Sequence, residues 1–167
     1  KYRLYFGASH RVLYDTKQKC TQYLSFAESD TIEGPYVPLQ KPLMATDPDS
    51  EYCNLALGSV KIIPCAQGFA AIQCPFFYDK EEKRSRSLML LLTSEDGIKF
   101  EQKRVIMPPV KAGWASRYIT SCDAIYRAEE KAWYCYFSAN GIDEDLISTE
   151  LNPLESKNIF IPASMKS

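Results

Sequence analysis

Histidine occurs once in the 167 residues, as His10. A nucleophile activated by imidazole needs a histidine held against it, so Ser–His or Cys–His chemistry would rest on that residue alone. No two of the six cysteines (Cys20, Cys53, Cys65, Cys74, Cys122, Cys135) stand in C-x-x-C spacing. The usual zinc and dithiol patterns are therefore missing, and neither a metal nor a cofactor is expected. A basic excess is also lacking. Twenty Lys plus Arg stand against 21 Asp plus Glu, which points to no nucleic acid and no anionic membrane as partner. No apolar run nears the roughly 20 residues of a membrane helix. The longest, Leu88-Met89-Leu90-Leu91-Leu92, suits one buried strand. The N-terminus does not show the order of a secretory signal, and with no membrane span the expectation leans to the cytoplasm. Instead it opens on Lys1-Tyr2-Arg3-Leu4-Tyr5-Phe6, which reads as a strand. A removed leader, a longer parent chain and a first sheet completed by another segment all fit that opening.

What is present is a core. The chain is 46% hydrophobic and 13% aromatic, enough for one packed domain over residues 1–167. Capped helical periodicity is missing, while aromatic and β-branched runs between turn residues recur, so the class is all-β. With that much core, reduced and half-buried thiols are favoured over a disulfide scaffold; a Cys122–Cys135 bridge across one hairpin is the alternative.

The runs repeat. Tyr2-Arg3-Leu4-Tyr5-Phe6-Gly7-Ala8-Ser9 resembles Trp133-Tyr134-Cys135-Tyr136-Phe137-Ser138-Ala139-Asn140, with Phe69-Ala70-Ala71-Ile72-Gln73 between them. Phe26-Ala27-Glu28-Ser29-Asp30 matches Leu92-Thr93-Ser94-Glu95-Asp96. A third landmark runs through Tyr36–Leu39, Arg104–Pro108 and Asn158–Pro162. Four strands make a unit. In the middle unit they are Leu57–Ile63, Phe69–Phe76, Ser87–Thr93 and Lys103–Met107. In the last they are Asp123–Arg127, Ala132–Ser138, Leu146–Thr149 and Ile159–Ile161. The first unit has only its last three. Four-stranded antiparallel repeats of this kind are propeller blades, here about 1–43, 54–109 and 119–163. The charged stretch Asp79–Arg86, between two strands of the middle unit, is expected to be a solvated loop.

Ala27-Glu28-Ser29-Asp30-Thr31-Ile32-Glu33-Gly34-Pro35-Tyr36 resembles the third-strand pattern of the five-bladed β-propeller glycoside hydrolases, the arabinanase, β-xylosidase and invertase-like enzymes. Thr93-Ser94-Glu95-Asp96-Gly97-Ile98-Lys99-Phe100-Glu101 is similar to that family's other version of the strand end. Ser and Asp there make a side-chain turn, Gly97 takes the positive φ, and the aromatic packs back on the sheet. The resemblance implies a partial propeller of about three blades that acts on or binds a carbohydrate. If active, it would use two carboxylates at the starts of inner strands, with the acid's pKa raised by low dielectric and like charge.

Carried over residue by residue, the resemblance implies an inner-strand carboxylate at Asp123, in Ser121-Cys122-Asp123-Ala124. The same offset in the middle unit lands on Ser59, with Asp49 and Glu51 upstream; Glu51 is the second catalytic candidate. Trp114 and Arg117, before the strand of Asp123, suit a sugar face and a sugar hydroxyl or carboxylate, against interblade packing. His10 is a further substrate contact, against a surface role. Trp133 and its neighbouring tyrosines read as core. The competing function is a non-catalytic sugar-binding or structural propeller fragment whose acids are lost. Three blades leave two open apolar faces, so a homodimer, or the remainder of a longer propeller, is the expected partner.

Overall fold

A computed structural model of the chain describes residues 1–141 in full and the backbone of 142 and 161–166. Among these residues every regular element is a strand. In chain order they are β1 (Tyr2–Val12), β2 (Lys19–Ser29), β3 (Val37–Pro38), β4 (Met44–Ala45), β5 (Ala56–Cys65) and β6 (Gly68–Asp79). There follow β7 (Arg84–Ser87), β8 (Met89–Ser94), β9 (Glu101–Met107), β10 (Gly113–Arg127), β11 (Ala132–Ile142) and β12 (Ile161–Lys166).

They form three antiparallel sheets. The first runs β1-β2-β3 with β4 also on β2, the second β5-β6-β8-β9 with β7 also on β6, and the third β10-β11-β12. In the second and third sheets a long strand, β5 or β10, precedes the strand that matches β1 in the repeat. In the first sheet the corresponding edge of β1 carries no partner among the described residues. The architecture is an all-β, partial β-propeller-like fold.

The middle sheet is covered on both faces, and its sequence shows why. Ala71 and Leu92 join Phe77, Leu88 and Leu90 in a buried cluster with Met44 and Tyr52 of the preceding segment packed against it. Ile72 and Cys74, of opposite alternation on β6, join Met89 and meet Ile119, Ala124, Cys135 and Phe137 of the third sheet. A strand buried on both faces reads as a continuous apolar run, as Leu88–Leu92 does. Burying one such Leu or Phe is worth about 1.5–3 kcal/mol. A third cluster, Leu13, Cys20, Ala56, Phe76 and Tyr118, draws on all three sheets.

The strand-end turn forms as its residue types dictate. The Gly97 N–H donates to Ser94 Oγ (2.9 Å), the Ile98 and Lys99 N–H groups donate to Asp96 Oδ1, and Gly97 has φ +71°. Phe100 packs back on the middle cluster.

Two expectations need correction. β12 borders β11 directly, from Phe137↔Ile161 to Ala132↔Lys166, the place expected for Leu146–Thr149. That segment, with residues 159 and 160, lies outside the described residues. The charged stretch Asp79–Arg86 is not a solvated loop throughout. Its second half is β7, paired to β6 with Phe77↔Arg86 and Tyr78↔Ser85, and Arg86 is only 2% exposed. The burial is tolerable because the turn supplies counter-charge: the Arg86 guanidinium pairs with Glu82 and stands 3.9 Å from Asp79.

Candidate functional site

The inner strands β5 and β10 begin at the end of the sheets where β6 and β11 finish, and both begin irregularly. Ala56 faces Phe76 and Ser59 faces Cys74, so β5 takes three steps against two. On β10, Gly113 faces Ile142 and Tyr118 faces Asn140, five steps against two. Such β-bulges bend a strand and re-aim its side chains, and they collect at barrel rims and next to active sites. Glycine makes both possible. A Cβ on Gly58, at φ +67°, would fall 1.8 Å from the Cys74 carbonyl oxygen. One on Gly141 would fall 2.2 Å from the Gly113 oxygen and 2.6 Å from Trp114 C, because the bulge closes down onto that glycine.

The bulge of β10, residues 114–117, is held on both sides by three successive side chains of β7. Before it, Arg86 Nη2 donates to the Val110 carbonyl (2.6 Å). After it, Ser87 Oγ donates to the Ile119 carbonyl (3.0 Å) and accepts from the Ile119 N–H (2.5 Å). Ser85 reaches the Tyr118 hydroxyl at 2.5 Å. Ser85 Oγ also lies 2.7 Å from each oxygen of Asp15, and its N–H donates to Asp15 Oδ2 (2.7 Å). A hydroxyl has one proton, and a carboxylate only accepts. Ser85 therefore donates to Asp15, Tyr118 to Ser85, and Thr16 to Tyr118 across 2.6 Å. Burial pushes the Asp15 carboxyl up, but the two Ser85 donors outweigh it and leave its pKa lowered. Burial likewise holds the Tyr118 phenol above its usual value, which keeps it a donor.

Around this end stand most of the residues singled out from sequence. Arg11 Nη1 donates to the Leu55 carbonyl (3.2 Å), joining the end of β1 to the segment before β5. His10 is exposed on β1 opposite Thr21. Glu51 is exposed in a turn held by Asp47 and Ser50 side chains, and its hydrogen bond with Tyr52 raises that phenol's pKa. Trp114 stacks on Phe137 with ring centres 6.1 Å apart and planes 18° apart, so packing claims one of its faces. Arg117 is half-buried in the bulge, with no hydrogen-bond or ion-pair partner among the described residues. Ser59 Oγ is buried without a partner among them.

Asp123 does not join that group. It is the eleventh of the 15 residues of β10, not the first, and lies five residues past Tyr118, roughly 15 Å along the strand. Its carboxylate, 57% exposed, pairs with Lys61 of β5 at 2.8 Å and accepts from the Ala124 N–H at 2.8 Å. The Lys61 ammonium, chiefly, holds it below the usual carboxylate range. A general acid needs the opposite shift.

The six thiols are free. Among the described residues no group of three His, Cys, Asp or Glu is placed to hold a metal, and no helix is long and apolar enough to cross a membrane. Three clefts lie away from the bulges. One of about 610 Å³ is lined by Cys65, Phe69, Ser94, Asp96 and Lys99. Another of about 530 Å³ opens between Tyr2, Arg3 and Tyr5 of β1 and Ile62, Pro64 and Phe69. A third of about 470 Å³ lies between Leu39–Met44 and Ile98–Phe100. Sequence reasoning missed the Ser85-Arg86-Ser87 brace. Its one signal was a pair of serines flanking an arginine directly before the Leu-rich strand.

No family model matches the sequence, and no curated protein sequence matches it. Solved structures do resemble its fold. One described as "Glycoside hydrolase" gives a TM-score of 0.58 at 10% identity, covering 91% of this chain and 41% of its own. A second, described as a complex of BT0996 with RGII, gives 0.57 at 10% identity, covering 85% and 39%. The protein thus spans about two fifths of the length of these solved structures, and the likeness is one of fold.

Proposed function

We propose that this chain binds a carbohydrate at the end of its sheets where β5 and β10 begin, as part of a propeller completed by a second copy or by the remainder of a longer chain. The observation that carries this reading is the braced bulge of β10, which presents a half-buried, unpartnered Arg117 beside Trp114. A fixed guanidinium with spare donors suits a polyhydroxylated ligand, and an exposed aromatic edge suits pyranose C–H groups. His10 and the Glu51 turn border the same end and are its further candidate contacts. Titration calorimetry against a panel of neutral and acidic oligosaccharides tests the reading. Saturable binding that weakens in Arg117→Ala supports it, and no binding by any member of the panel overturns it.

Hydrolysis is the second reading, favoured by the description of one structural neighbour as a glycoside hydrolase. Asp123 and Glu51 are its candidate carboxylates. An ion-paired Asp123 suits a base or an orienting group, not the acid. Incubation of the wild type and Asp123→Asn with aryl-glycosides separates the readings: turnover lost in the variant favours hydrolysis, and no turnover by either favours binding alone.

A further inference from the structure

The sequence places seven arginines, and in the described structure five of them have partners. Arg3 pairs with Glu28, Arg84 and Arg86 with Glu82, and Arg127 with Glu130; Arg11 donates to a backbone carbonyl. Of the other two, Arg104 is exposed to water, which solvates it. Arg117 alone is half-buried and unpartnered among the described residues. A guanidinium partly withdrawn from water without a counter-charge is a standing cost. The chain does not let it swing out to escape that cost. Val110 on one side and Tyr118 and Ile119 on the other are fixed by Arg86, Ser85 and Ser87, so the backbone carrying Arg117 is set before any ligand arrives. Those braces are themselves buried: Ser85, Arg86 and Ser87 are 3%, 2% and 3% exposed.

Resting on the carbohydrate-binding reading above, we infer that Arg117 is the specificity-determining residue of the site and reads the carboxylate of an acidic sugar. A planar guanidinium fork matches a planar carboxylate through two parallel N–H···O bonds, a pairing that neutral hydroxyls cannot reproduce. Because the backbone of the fork is fixed in advance, little ordering is needed on binding, and discrimination between charged and neutral forms of one sugar falls on this side chain. Trp114 contributes a surface that both forms share, so it adds affinity without selectivity.

The test uses the whole chain and paired probes, oligogalacturonate and the same oligomer with its carboxyls methyl-esterified, followed by calorimetry at fixed ionic strength. The free acid is expected to bind about tenfold or more tightly than the ester, the worth of a charge-assisted hydrogen bond. Arg117→Gln should erase that ratio while leaving ester binding within about twofold, and Arg117→Lys should restore part of it, by charge without the fork. The wild-type comparison needs no variant to fold, and a melting curve checks each variant that is made. Equal binding of acid and ester by the wild type overturns this inference and leaves carbohydrate binding standing. A preference for the acid that persists in Arg117→Gln overturns it as well. Failure of both probes and of every neutral oligosaccharide overturns the carbohydrate reading with it.

Discussion

Lys61 and Asp123 join the two inner strands through an ion pair 2.8 Å long, placed where the second and third sheets meet. The pair explains why a carboxylate carried over from a sequence resemblance is not, by itself, an acid catalyst. A glycosidase acid keeps its proton near neutral pH because its surroundings disfavour charge. Asp123 has an ammonium beside it and water around it.

Asp123→Asn should therefore cost little. Both side chains are about half exposed, and solvent screens such a pair to roughly 0.2–1 kcal/mol. Urea unfolding of Asp123→Asn and Lys61→Met is expected to show losses within that range. A loss of several kcal/mol would mean that the pair is shielded in solution.

Ser87→Ala should cost far more than its size suggests. It leaves the buried Ile119 N–H and C=O without their partner, at about 1–3 kcal/mol for the N–H. Ser9→Ala, which removes an exposed bond to Gln22, serves as control and should fall within about 0.5 kcal/mol of wild type. Equal midpoints for the two variants in urea would contradict the brace.

Gly58→Ala and Gly113→Ala separate strain from collision. Both glycines have positive φ, at +67° and +81°. A Cβ at Gly113 meets nothing within 4 Å, so the cost is the conformational one, about 1–2 kcal/mol. A Cβ at Gly58 meets the Cys74 carbonyl, so the bulge must move and the loss should be clearly larger. Thermal unfolding of the two variants gives the order.

The pH dependence follows from carboxylates held low in the fold. Lys61 lowers Asp123, Arg3 lowers Glu28, Arg84 lowers Glu82, and the backbone N–H groups of Lys99 and Ile98 lower Asp96. Unfolded, such groups titrate near 3.9 for Asp and 4.3 for Glu. A depressed folded pKa contributes stability that is complete above the unfolded value and is lost as pH falls through the folded one. The urea midpoint should stay level from pH 7 to about pH 5 and fall steadily below about pH 4. A midpoint unchanged at pH 3 would contradict these shifts.

Of the six thiols, Cys65 is the exposed one. Burial pushes the Cys20 thiol up to about 12 and the Cys53 thiol up to about 11, and neither offers thiolate near neutral pH. Cys74, Cys122 and Cys135 line the seam between the second and third sheets. An aromatic disulfide reagent at pH 8 should find one fast thiol in the native protein and the other five only on unfolding.

The strands were legible because their signals are local. Period-two burial along β6 and the Ser94–Gly97 turn need only neighbouring residues. The middle sheet's continuous apolar run also showed that both its faces are covered. The brace was not legible, because Arg86 is buried only where Glu82, Asp79 and Val110 converge on it, and no sequence window contains Val110 and Ser85 together. Asp123 was misplaced along its strand for a related reason. The strand begins ten residues earlier, at Gly113, and the bulge hides that start by breaking the alternation on which a boundary is read. Trp114 and Arg117 came out on one short segment because their spacing is local too.

Lys80, Lys83, Arg84 and Arg86 put four cleavage points for a trypsin-like protease into seven residues. A protease must draw several residues of extended chain into its cleft. The turn at Lys80 and Lys83 can yield such a loop, but β7 can do so only by releasing Val110, Tyr118 and Ile119 together. The brace thus divides one basic tract into a part that is cut from the native protein and a part that is cut only once the seam between two sheets has opened. The fragment pattern becomes a clock for that opening.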